Sequence, residues 1–97
     1  MKYIPSLEEK ERRNRIMLSV YAYAYEFEHE SLVSDHVFDK LAFSINVEVN
    51  TGDSLFDNFF KTEFSPSTGM WIRYHPDLDG IVNIYRRMTA NKKKGQI

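Results

Sequence analysis

The chain has 97 residues, 42% hydrophobic and 28% charged, with a net charge of −1, so one compact domain is expected and the balance does not suit a general nucleic-acid binder. It has no Cys, which excludes a disulfide framework, a thiolate nucleophile and a Cys-type zinc site, and fits a reducing compartment. Charge is unevenly spread: residues 1–20 carry a net +2, residues 21–60 a net −7 and residues 61–97 a net +4.

No apolar run approaches the roughly 20 residues needed to span a bilayer. The opening MKYIPSLEEKERR is charged where a signal peptide is hydrophobic, so the chain reads as soluble and cytoplasmic. Seven Phe, six Tyr and Trp71 imply an aromatic core rather than disorder.

The spacing predicts an all-α domain over residues 1–90, followed by a flexible basic tail over 91–97. Ser6 and Glu9 form an S-x-x-E capping box, so a long helix is expected from about Leu7 to about Glu28. Ile16, Val20, Ala24 and Phe27 mark its apolar face, widened by Met17, Tyr21 and Tyr25. Lys10, Arg12, Arg13 and Arg15 read as its solvated face, with Glu8, Glu9 and Glu11 nearby.

Ser34, with Val33 before it and Phe38 after, begins a second helix from Asp35 to about Ile45, completing an αα-hairpin. Val47 to Val49 reads as extended, and a third helix begins near Thr51 or Asp53 with Leu55, Phe56, Phe59 and Phe60 on its apolar face. Met70 to Tyr74 reads as a short strand that Val47 to Val49 would have to pair. Pro76 suits the first turn of a fourth helix, whose stripe is Leu78, Ile81, Val82, Tyr85 and Met88.

Tyr23-Ala24-Tyr25-Glu26, then Val33-Ser34-Asp35-His36-Val37-Phe38-Asp39-Lys40-Leu41, resembles the N-terminal helical domain of bacterial NAD-dependent DNA ligases. That family carries Tyr-x-Tyr, a loop, and Ile-Ser/Pro-Asp-x-x-Tyr-Asp-x-Leu. The resemblance implies recognition of nicotinamide mononucleotide or NAD by Tyr25, Asp35, Phe38 and Asp39, with Glu26 at a neighbouring family position. Aromatic rings stack on a nicotinamide and carboxylates accept from ribose hydroxyls. Glu26 stands where the ligases have His and Phe38 where they have Tyr, and residues 46–74 look like an insertion. The ligase nucleophile lies in Lys-x-Asp-Gly; here Asp77-Leu78-Asp79-Gly80 puts Asp in its place, so no catalytic residue and no enzyme activity are expected.

A second reading uses the same scaffold as an acidic-surfaced regulator or inhibitor, of the kind phages and mobile elements use against defence complexes. Glu26, Glu28, Glu30, Asp35 and an exposed Trp71 would then face a protein partner with a basic surface. A homodimer sealed by surplus Phe and Tyr fits both readings. His29, His36 and the neighbouring carboxylates match no metal motif, and no metal is expected.

Overall fold

The computed structural model describes residues 4–94. They are all-α: α1 Leu7–Phe27, α2 Asp35–Ser44, α3 Ser54–Thr62, a 3-10 helix Met70–Tyr74, and α4 Leu78–Lys94. No strand occurs among the described residues. Within them, no helix is long and apolar enough to cross a membrane.

Each start is set locally. The Ser6 hydroxyl accepts the Glu9 amide at 3.2 Å, and the Ser34 hydroxyl accepts the Val37 amide at 3.2 Å. Asp53 accepts the Phe56 amide at 3.2 Å, and Asp77 accepts the Gly80 amide at 3.1 Å. Asp77 therefore caps α4, and Pro76 lies just before the helix rather than in its first turn. α1 ends where His29 adopts φ 53° and the Glu30 amide turns back to the Ala24 carbonyl at 2.9 Å.

α1 is the central element, packed against α2, α4 and the 3-10 helix. Its buried face comprises Glu11, Arg15, Leu18, Ser19, Val20, Ala22, Tyr23 and Ala24. The expected stripe is thus rotated: Val20 and Ala24 are inside, but Ile16, Tyr25 and Phe27 are exposed. α3 likewise buries Asp57, Phe59 and Phe60 and leaves Leu55 outside. α4 buries Ile81, Tyr85 and Thr89 while Met88 is exposed, and it runs past its expected end near 88–89. Of the expected tail, residues 95–97 lie outside the described residues.

The expected β pair does not form, because its backbone groups have other partners. At Asn46 to Val49 a turn closes with the Val49 amide on the Asn46 carbonyl at 3.2 Å, and both residues' carbonyls accept from Arg15. At Met70 to Tyr74 the Thr68 hydroxyl takes the Met70 amide at 3.1 Å and the Thr68 carbonyl takes the Trp71 indole at 2.7 Å, winding the segment into 3-10 turns.

Arg15 is the main departure from the expected charged face. It is 3% exposed and donates to Glu11 at 2.7 Å, Asp57 at 2.8 Å, and the Asn46 and Val49 carbonyls at 2.8 and 3.0 Å. Its guanidinium carbon lies 5.2 Å from the Phe60 ring centre. Glu11 also accepts the Asn46 amide, Asp57 accepts the amide and hydroxyl of Thr51, and Arg12 donates to the Thr51 carbonyl. This network fastens the α2–α3 connection to α1. No buried side-chain nitrogen or oxygen among the described residues lacks a partner.

Candidate functional site

The last turn of α1 and the first two turns of α2 converge because the α1–α2 connection is short and doubly anchored. The Tyr23 hydroxyl donates to Glu28 at 2.5 Å and the Tyr85 hydroxyl donates to Glu30 at 2.7 Å, tying the connection to α1 and α4. Tyr23 and Tyr85 themselves meet edge to face, with ring centres 5.3 Å apart.

Between the two helices lies a cleft of about 380 Å³ lined by Tyr25, Glu26, Asp35, Phe38 and Asp39. All five expected ligand-contact residues therefore share one site. Tyr25 is 58% exposed and Phe38 half-buried, so one ring is open to a ligand and the other forms part of the wall. Asp35 and Asp39 are exposed, lie one helical turn apart, and have no ion-pair partner among the described residues. Asp35 opens α2, where the helix dipole favours its negative charge.

The far wall comes from Ser67, Thr68 and Gly69, a segment the sequence had not connected with the site. At Gly69 a Cβ would lie 3.5 Å from the Ala22 side chain and 3.6 Å from the Phe38 ring, so the backbone already sits against the aromatic wall. Four residues on, Arg73 reaches back to Glu26 at 3.4 Å. No local sequence signal links Arg73 to the hairpin, since 47 positions separate it from Glu26.

The alternative surface fares differently. Trp71 is 3% exposed, packed between Phe60 and Phe64 with ring centres 5.6 and 5.2 Å away, so it is a core residue and not a partner anchor. Glu28 and Glu30 serve as acceptors for tyrosine hydroxyls. The remaining carboxylates of that surface, Glu26 and Asp35, belong to the cleft.

A second cavity of about 200 Å³ lies between α1, the start of α3 and the start of α4, lined mainly by Ile16, Phe56, Phe60, Ile81 and Ile84 with Arg12 and His75 at its polar side. Burial lowers the His75 pKa, and its Nδ1 accepts the Asp77 amide at 3.0 Å. Asp77-Leu78-Asp79-Gly80 is a helix start: Asp77 caps it and Gly80 leaves room for the carboxylate, which would lie 2.3 Å from an added Cβ. No group of three His, Asp or Glu side chains suited to a metal ion occurs among the described residues.

No family model, curated protein or solved structure matches this chain.

Proposed function

We propose that the α1–α2 cleft binds the nicotinamide mononucleotide half of NAD, or the free mononucleotide, in a non-catalytic binding domain. The observation that supports this reading is the convergence of Tyr25, Glu26, Asp35, Phe38 and Asp39 on one cleft. Its chemistry suits the ligand. A pyridinium is planar and cationic, so it is drawn to an aromatic face and to carboxylates. Asp35 and Asp39 supply acceptors for ribose hydroxyls and the carboxamide.

The test is an amide NMR titration with the mononucleotide and with NAD. Saturable shifts are expected at Tyr25, Glu26, Asp35, Phe38 and Asp39. The double variant Asp35→Ala with Asp39→Ala should keep the fold, since both side chains are exposed, and lose affinity about tenfold or more. Unchanged affinity in that folded variant, or no shifts at millimolar ligand, overturns the reading.

A further inference from the structure

Glu26, Asp35 and Asp39 place three carboxylates around the cleft, an arrangement that favours a cation and repels a phosphate. The zwitterionic mononucleotide carries both. Its phosphate, with a charge of about −1.5 to −2 near neutral pH, needs a positive group at the rim. Among the described residues, Arg73 is the basic side chain paired with a cleft carboxylate.

Its backbone is held firmly while its head is not. Trp71 and Ile72 are 3% and 0% exposed, and the Trp71 indole is bonded to the Thr68 carbonyl at 2.7 Å, in the segment that forms the cleft's far wall. The Arg73 side chain, by contrast, is 53% exposed. Its contact with Glu26, whose side chain is 14% exposed, is 3.4 Å, longer than the roughly 2.7–2.9 Å of a strong charge-assisted bond. The guanidinium is therefore free to exchange Glu26 for a better acceptor, and a phosphate is such an acceptor.

We propose that Arg73 is the phosphate-recognising residue of the cleft and makes it selective for the mononucleotide over the nucleoside. This deepens, and rests on, the nucleotide reading above. Glu26 holds the guanidinium near the rim in the unliganded state and releases it when a phosphate arrives.

Isothermal titration of the full chain with nicotinamide mononucleotide and with nicotinamide riboside tests it. The wild type should bind the mononucleotide about tenfold or more tightly than the riboside. Arg73→Ala should erase that preference with little change for the riboside, while Arg73→Lys should retain part of it. Because Arg73→Ala also exposes the Glu26 charge, the pair is repeated on Glu26→Gln. A direct phosphate contact predicts that Arg73→Ala still erases the preference there; a preference surviving in that background overturns the assignment, as does a wild type that binds both ligands equally. If neither ligand binds the wild type, the nucleotide reading fails and this inference with it.

Discussion

Asp57 sits at the meeting point of α3, the α2–α3 connection and α1, receiving the Thr51 amide at 3.0 Å, the Thr51 hydroxyl at 2.6 Å and Arg15 at 2.8 Å. Burial alone would raise its pKa, but the Thr51 bonds and the Arg15 guanidinium outweigh burial and hold it below the ordinary carboxylate value. A carboxyl whose folded pKa is depressed contributes stability that is present above its unfolded pKa, about 3.9, and is lost as pH falls through the folded value. Urea unfolding of the wild type should therefore show stability declining below about pH 4. Asp57→Asn should cost about 3 kcal/mol at pH 7, because Arg15 keeps its charge and loses a partner. The variant's further loss on acidification should be smaller than the wild type's. An equal acid loss in both proteins would mean that other carboxylates govern it.

At the scale of elements, the α1–α2 connection joins the candidate site to α4 through the Tyr85 hydroxyl. Glu30 accepting that hydroxyl, with burial next, pushes the Tyr85 pKa up to about 12. A raised pKa gives stability that is complete below the ordinary tyrosine value of about 10 and lost as pH rises through the folded value. Tyr85→Phe keeps the ring's packing against Tyr23 and removes the tie, so it should cost about 1 kcal/mol at pH 7. Its stability should also be less sensitive to pH between neutrality and strongly alkaline solution than the wild type's, as read by urea midpoints. Amide exchange in the connection should quicken in this variant more than in α3, which the Tyr85–Glu30 bond does not join. Uniform quickening throughout would show that Tyr85 supports only the global fold.

Across the whole molecule, the features legible in the sequence were those specified by neighbouring residues. Ser6 with Glu9, Ser34 with Asp35, and the Tyr25-to-Asp39 motif set the hairpin and placed five side chains on one cleft. Features fixed by distant partners were not legible. Arg15 reads as a solvated cation until Asp57, 42 positions away, and the Asn46 and Val49 carbonyls are placed beside it, and with Glu11 they satisfy its guanidinium in the core. Trp71 and Arg73 follow the same rule: two positions apart on a 3-10 turn, one packs into the aromatic cluster and the other reaches Glu26. Since α1 touches α2, α4 and the 3-10 helix, and its Glu11 and Arg15 fasten the segment leading to α3, no element has a core of its own. The buried side chains from Leu18 to Tyr85 form one cluster, which Phe59, Phe60 and Trp71 share. Unfolding should then be a single transition. Trp71 is the sole Trp and almost wholly buried, so its fluorescence reports the aromatic end, while far-ultraviolet circular dichroism is dominated by α1 and α4. The two urea curves should superimpose, and Phe60→Leu, which loosens the Trp71 contact, should move both midpoints together by about 1 kcal/mol of stability. A fluorescence change that precedes the loss of helix would show that α3 and the 3-10 helix open as a separate unit, and that the polar network around Arg15 does not couple them to α1.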